Sequence, residues 1–452
     1  MLTNRFTLAK NAAVVLLLVM SVLLFTVPSA QADDAPATSS GILPLPDYSG
    51  DFAKRTYLLG DFGGKRAEWA QKGATFDIDY NQYFQSVTDG GLERDSEYGG
   101  TIYYNVNLDF DRMGLIPGGL LQMRASSRYG KSVNDISGSA VPVNTDASYL
   151  TASSPNEDIG LWLPVINYTQ FFSEEFALGF GKYDTMDSPN EFGGGRGRSQ
   201  WWNQTINTAL SPLLAVPNVT TGGTVLLFPS PYLTFTGLVG TITDESNSSG
   251  FDDFDDGMFA MGLLTYQYRL GGLPGGLAVT AGYGWDRDFT ELNGRINIDE
   301  GQLVQSSKDD TWFGQTSFWQ YLWTKQAVKQ QPIDVNDGRQ DLQGVGVFLR
   351  LQTADPDTNP LDYSITGGIS GKGLIPGRDN DAMGIAYVYN KLADDDLLEA
   401  IRIDAQSSVW ELFYNIELTP AVHLTLDAQV VESAFPDIDT ATILGTSLQM
   451  RF

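Results

Sequence analysis

Cysteine is absent from all 452 residues, which excludes disulfides, thiol nucleophiles and cysteine-held metals. Histidine occurs once, as His423, and parity places it in a lumen near the Thr419-Pro420 turn, far from any loop serine. A hydrolase built on a nucleophile and an imidazole base therefore has little to work with, and no enzyme is expected. Basic residues are also scarce: 28 Lys plus Arg stand against 55 Asp plus Glu, a formal charge of −27. That sign is wrong for a phosphate backbone, so no nucleic acid is expected as a partner. Beyond the first thirty residues there is no continuous apolar run fit for a membrane helix. The uncharged stretch Ser199 to Thr243 is long enough, but Pro212, Pro217, Pro229 and Pro231 interrupt it, and proline both removes a donor and clashes within a helix.

The chain begins with Arg5 and Lys10, an apolar run from Ala12 to Val27 and then Ala30-Gln31-Ala32. This is the form of a secretory leader, expected over residues 1–32. Removing it takes two basic and no acidic residues, leaving 26 against 55, or −29. Only one Pro-rich linker follows, Asp33 to Pro46, so one large domain fits better than two or three. An exported membrane protein without helical spans has one architecture open to it, because backbone groups in lipid must all be paired and a closed barrel pairs them.

Period-two patterns supply the strands. From Thr101 to Asp111, Ile102, Tyr104, Val106, Leu108 and Phe110 take one face while Tyr103, Asn105, Asn107, Asp109 and Asp111 take the other, an apolar-out, polar-in alternation. Similar faces recur at Leu277 to Trp285, Val345 to Leu351, Tyr363 to Ile369 and Trp410 to Leu418. Ile116-Pro117-Gly118-Gly119, Leu273-Pro274-Gly275-Gly276 and Ile375-Pro376-Gly377 read as tight turns. Longer acidic connections such as Asp252 to Asp256 and Asp394 to Asp396 lie between them. Short turns on one side and long loops on the other mark an outer-membrane barrel.

The expected strands are 75–87, 100–111, 119–129, 160–170, 176–184, 222–228, 232–242, 258–269, 277–286, 311–323, 343–352, 362–371, 381–390, 408–418, 421–432 and 441–452. Sixteen strands put every Pro-Gly turn and the carboxyl terminus on one side, taken as periplasmic. The chain ends with Leu448, Met450 and Phe452 outward and Gln449 and Arg451 inward, and Trp285, Tyr389 and Trp410 would belong to interfacial girdles. The fold class is thus all-β: a transmembrane antiparallel β-barrel of sixteen strands over 74–452, with a short N-terminal periplasmic segment over 33–73 carrying a short helix at Lys65 to Gln71. A barrel of this size leaves an aqueous lumen.

Gly60-Asp61-Phe62-Gly63-Gly64-Lys65-Arg66 with Lys72-Gly73, the turn at Ile116, Gly181-Lys182-Tyr183-Asp184, and Gly371-Lys372-Gly373-Leu374-Ile375-Pro376-Gly377-Arg378-Asp379-Asn380-Asp381 together resemble the carbohydrate-selective porins of the OprB type. The family usually has Trp where Phe62 stands. The resemblance spans most of the mature chain and implies passive diffusion of small, glucose-like sugars through a monomeric or homotrimeric barrel in the outer membrane, without cofactors. It also marks Lys182 and Asp184 as site residues, although strand parity turns Lys182 outward with Phe176, Leu178 and Phe180.

Selectivity in a porin comes from pore width and from the groups at its narrowest point. Parity turns Arg124 and Arg350 into the lumen, with Asp109, Asn107 and Glu411 as hydrogen-bond partners. Guanidinium and carboxylate together would form a polar track for sugar hydroxyls, or else brace the wall through salt bridges. The long segment Thr185 to Thr221 carries Arg196, Arg198, Trp201 and Trp202 and little regular pattern, as a functional loop would. Folded inward, it would narrow the channel, with tryptophan stacking on a pyranose; the alternative places both tryptophans in a girdle. The acidic loop Asp252 to Asp256 lacks EF-hand spacing and reads as a solvated loop bridging lipopolysaccharide through divalent cations, so no metal site is expected. The rival function is a general, cation-leaning pore, favoured by the net charge. An adhesin would call for a large extra domain, which no segment suggests.

Overall fold

The computed structural model describes residues 41–149, 158–186, 190–212, 215–248, 250, 253–292, 296–299, 302–328, 330–334, 340–393 and 406–452. The leader at 1–32, the linker up to Ser40, Asp252 and Asp394 to Asp396 lie outside the described residues.

Sixteen strands close into one antiparallel barrel. They are β1 (Ala74–Asp89), β2 (Ser96–Asp109), β3 (Gly119–Gly130), β4 (Ile159–Ser173), β5 (Phe176–Asp184), β6 (Val219–Ser230), β7 (Leu233–Thr241), β8 (Met258–Leu270) and β9 (Leu273–Thr290), then β12 (Ser307–Thr324), β13 (Gly344–Ala354), β14 (Leu361–Lys372), β15 (Ala382–Leu392), β16 (Gln406–Thr419), β17 (Val422–Glu432) and β18 (Ala441–Arg451). Between β9 and β12 a separate hairpin is formed by β10 (Ile296–Asp299) and β11 (Gln302–Gln305). The barrel closes because β1 pairs on both sides: Asp79 lies opposite Tyr103 of β2 and Arg451 of β18. No helix among the described residues is long and apolar enough to cross a membrane.

The period-two pattern is visible in the burial. Along β13, Leu349 and Leu351 are exposed while Phe348, Arg350 and Gln352 are buried; along β16, Trp410 and Leu412 are exposed while Val409, Glu411 and Phe413 are buried. An apolar exterior with all ladder bonds made is the arrangement lipid demands.

Turn chemistry sets the short-turn end. At the β2–β3 turn the Gly119 amide donates to the Ile116 carbonyl at 3.0 Å, and Gly118, at φ 73°, lies where a Cβ would stand 2.1 Å from the Phe171 carbonyl. Only glycine fits there. The segment Leu273 to Gly276, expected as a turn, is instead the start of β9, with Leu273 paired to Leu270 and Pro274 to Arg269. The turn is Gly271-Gly272, at φ 61° and 85°. Two adjacent glycines supply the paired positive φ of a two-residue hairpin, so they take the turn ahead of the proline.

Before β1, Lys65–Gln71 forms the helix α1. The connections between β3 and β4 and between β5 and β6 carry the one-turn helices α2 (Thr145–Ser148) and α3 (Gln204–Asn207). The described parts of both connections fold into the barrel and build its core there. Phe192, Trp201 and Ile206 pack with Trp319 and Tyr321 of β12, Phe348 of β13 and Phe413 of β16. Fully burying large side chains of this kind contributes on the order of 3 kcal/mol each before entropy is counted.

Candidate functional site

Two clusters divide the lumen. The first fastens the connection between β5 and β6 to the wall. Arg350 is fully buried, and its Nη1 donates to the carbonyls of Thr205, Ile206 and Thr208 at 3.0 to 3.1 Å while Nη2 donates to Gly193 at 3.1 Å. Glu411, also buried, accepts from the Trp202 and Asn203 amides at 2.5 and 3.1 Å. Gln352 accepts from Leu210 and Ser211 at 2.6 and 3.2 Å. These side chains take the loop's backbone groups in place of water, as a buried loop requires.

Trp201 and Trp202 are both at 0% exposure. The Trp201 ring lies 4.6 Å from that of Phe413 and 5.8 Å from Phe348, and its Nε1 donates to the Phe192 carbonyl at 2.5 Å. Glycines on the wall make room: a Cβ on Gly384 would stand 2.7 Å from Trp201, and one on Gly445 2.4 Å from Trp202. Neither tryptophan offers a face to a sugar, and neither lies in a girdle. Arg350 and Glu411 likewise point inward by parity but are sealed behind the loop, and this corrects their reading as pore-lining groups. Inward and water-facing are different properties once a loop covers the wall.

The second cluster lies against β2 and β3. Arg124 donates from Nη1 to Asp184 at 2.9 Å and from Nε to Asn105 at 3.1 Å. Arg196 reaches the same Asp184 carboxylate. Arg198 donates to Asp146 at 2.7 Å and to the Thr101 hydroxyl, and lies 3.3 Å from Asp79. Tyr103 is the hub that sequence reasoning passed over. The guanidinium carbons of Arg198, Arg124 and Arg196 stand 3.6, 5.1 and 5.7 Å from its ring centroid, and Arg196 is also 4.5 Å from Tyr149. Cations over a desolvated aromatic face attract it. Burial works against the Arg198 charge, but Asp146, Tyr103 and Asp79 more than offset this and hold its pKa above the ordinary value.

Local backbone delivers the two loop arginines. Arg196 has φ 52°, between Gly195 at 96° and Gly197 at 74°, a left-handed run that costs energy at the arginine and is found where a side chain must be aimed. The sequence signal was the string Gly193-Gly194-Gly195-Arg196-Gly197-Arg198. Arg124, Arg196 and Arg198 face the three carboxylates Asp184, Asp146 and Asp79, and Arg451 also lies 4.0 Å from Asp79, so the cluster is rich in donors and its acidic charge is compensated locally.

Exposure separates the members. The Arg124 side chain keeps 26% of its surface in water, Arg196 13% and Arg198 5%. Below Arg124 the polar wall continues, with Gln122 donating to Asn107 at 3.3 Å and Asn107 to Thr75 at 3.1 Å. The register pairs Asn105 with Arg124 and Asn107 with Gln122, two residues apart on one face. Asp109, next along that face, is withdrawn from the track. It accepts from the Ile42, Leu43 and Arg112 amides at 2.7, 3.1 and 2.9 Å and is buried. Lys182 is buried too, its Nζ donating to the Ser248 carbonyl at 2.7 Å. His423 meets Asn415 at 2.9 Å through Nδ1 and lies 4.0 Å from Glu417. No metal-holding group of three or more His, Asp or Glu residues occurs among the described residues.

Residues 93–452 match the sequence profile of the carbohydrate-selective porin, OprB family. Two solved structures of Pseudomonas putida OprB share the fold. The high-pH form superposes with a TM-score of 0.75 at 16% identity, over 89% of this chain and 100% of that one. The low-pH form gives 0.55 at 14% identity, over 88% and 99%. No curated protein sequence matches.

Proposed function

The chain belongs to the carbohydrate-selective porins of the OprB family, sugar channels of the outer membrane, and from that premise we propose that small sugars pass along the β2–β3 side of the lumen. The contacts are Arg124 and Arg196 at the narrowing, then Asn105, Gln122 and Asn107. The observation that carries this reading is Arg124: it shares Asp184 with Arg196 while keeping a water-facing edge. A guanidinium held by a carboxylate offers its remaining donors in fixed directions to sugar hydroxyls. Because the cluster is nearly balanced in charge, it attracts neutral polyols without trapping anions, and the contacts are weak enough for fast passage. Trp201, Trp202, Arg350 and Glu411 act behind this surface by fixing the loop that narrows the pore.

Transport is passive and involves no covalent chemistry; the one histidine, bonded to Asn415, serves the wall. The short-turn end faces the periplasm, residues 1–32 are a cleaved leader, and the barrel works as a monomer or a homotrimer with its acidic loops meeting lipopolysaccharide. The test is liposome swelling with glucose, a disaccharide, a size-matched amino acid and a small organic anion. Glucose entry faster than that of the amino acid, lost in Arg124→Ala, supports the track. Rates ordered by size and charge alone, or unchanged in Arg124→Ala, would remove it.

A further inference from the structure

We propose that the N-terminal segment over residues 52–69 is an interfacial anchor that rests on the phospholipid headgroup layer at the short-turn end of the barrel. Four of its large apolar side chains leave about half or more of their surface open: Phe52 is 62% exposed, Leu59 48%, Phe62 50% and Trp69 48%. Four such residues within eighteen positions are more than the scattered exposure ordinary for a water-facing surface.

The segment is held firmly, so its exposed face has a fixed place. Arg66, buried, donates to the Gly60 and Phe76 carbonyls at 3.2 and 2.8 Å, to Asp77 at 2.6 Å and to the Phe452 carbonyl at 3.2 Å. Its guanidinium stands 3.9 Å from the Tyr48 ring centroid, 5.1 Å from Tyr57 and 5.6 Å from Phe62. The Leu58 amide donates to the Arg451 carbonyl at 2.8 Å. The segment is therefore clamped across the β1–β18 seam, at the rim where the barrel meets the headgroups.

Two observations choose lipid as the occupant. The first is continuity with the lipid-facing wall. Phe76, whose carbonyl Arg66 holds, is 45% exposed and shares its strand face with Ile78 and Tyr80. The half-exposed Phe62 ring borders the same guanidinium. The second is charge. Residues 41–73 contain five basic residues, Lys54, Arg55, Lys65, Arg66 and Lys72, against four acidic ones, Asp47, Asp51, Asp61 and Glu68, in a chain whose formal charge is −27. Lys54, Lys65 and Lys72 are exposed, Lys65 and Lys72 sharing Glu68 at 2.9 and 2.8 Å. Aromatic and leucine side chains beside lysines are what a segment lying in the headgroup plane presents, the rings at the acyl boundary and the ammonium groups toward phosphate.

The absence of cysteine makes the test clean, since any introduced thiol is the only one. Phe62→Cys and Trp69→Cys would be spin-labelled in the full-length protein, in nanodiscs of phosphatidylethanolamine and phosphatidylglycerol holding one barrel each. Collision with oxygen, which partitions into lipid, is compared with collision with a water-soluble nickel chelate. Phe76→Cys gives the lipid standard and Asp89→Cys, at the opposite end of β1, the water standard. Both positions are exposed, so the substitutions remove no buried contact. An oxygen-to-nickel ratio several-fold above that of Asp89→Cys and close to that of Phe76→Cys is expected at both. A ratio matching Asp89→Cys, or shielding from both reagents, which would mean contact with protein, overturns the proposal.

Discussion

At the residue scale, two arginines that look alike in the sequence do different work. Arg124 and Arg350 both stand on inward faces of strands beside polar neighbours, and parity alone gives them the same role. The difference is what lies in front. Arg124 keeps a water-facing edge, whereas Arg350 is enclosed by the loop whose four carbonyls it holds. Arg350→Ala should therefore act through the loop: hydrogen bonds from a charged donor are replaced by buried carbonyls with no partner, a cost of about 3 kcal/mol or more. The expected outcome is a lower unfolding midpoint and larger, noisier single-channel conductance, with the preference for glucose blurred. Arg124→Ala should leave the midpoint nearly unchanged and weaken sugar block of the current. If the two variants behaved alike in both measurements, the division of the lumen into latch and track would be wrong.

At the element scale, most of the barrel was legible and its filling was not. The sixteen strands follow from period two because one face of each must meet lipid, and the observed limits lie within a few residues for most of them. For example, 119–129 was expected and Gly119–Gly130 is found; 408–418 was expected and Gln406–Thr419 is found. The inward face carried a second message. Val409, Phe413, Phe348 and Ile443 are apolar residues on faces that a water-filled pore would make polar, and they are buried against the inserted connections. Read together with Gly384 and Gly445, which open sockets for Trp201 and Trp202, they mark where a loop docks. The track was only half legible: the resemblance marked Asp184, twelve positions from Arg196, but Tyr103 is brought under Arg196 by tertiary folding over a long sequence separation. Gly445→Val should push Trp202 out of its socket, since even a Cβ stands 2.4 Å from the ring. A raised size limit in liposome swelling is expected with the barrel still closed; an unchanged limit would show that the socket does not control the loop's position.

A second prediction belongs to the turn between β14 and β15. Asp381 accepts two hydrogen bonds from Arg378, each at 2.7 Å, with the Glu417 amide at 3.0 Å and the Tyr414 hydroxyl at 2.5 Å. Burial disfavours its charged form, but these donors outweigh it and hold the carboxyl below its ordinary value of 3.8. A depressed carboxylate pKa contributes stability that is present above 3.8 and is lost as pH falls through the folded value. Asp381→Asn should thus lower stability by about 2 kcal/mol near neutral pH and flatten the acid limb of the unfolding midpoint. A variant with an acid limb as steep as the parent's would place that dependence elsewhere.

On the scale of the whole molecule, charge and selectivity come apart. The formal charge of −27 would by itself suggest a cation pore, since acidic mouths concentrate cations. The proposed track, however, pairs Arg124, Arg196 and Arg198 with Asp184, Asp146 and Asp79, so little net charge stands along it. The acidic excess acts from a distance, and such fields are screened over about 10 Å at 0.1 M salt and about 3 Å at 1 M. Sugar contacts, made by short hydrogen bonds to neutral hydroxyls, are not screened in this way. Reversal potentials should therefore show cation preference at low salt that falls toward unity as salt is raised, while the ratio of glucose to amino-acid flux stays constant. Cation preference that persisted at 1 M would require an unbalanced carboxylate at the narrowing itself. A sugar ratio that fell with salt would mean that the distant field, not the arginine track, sets what passes.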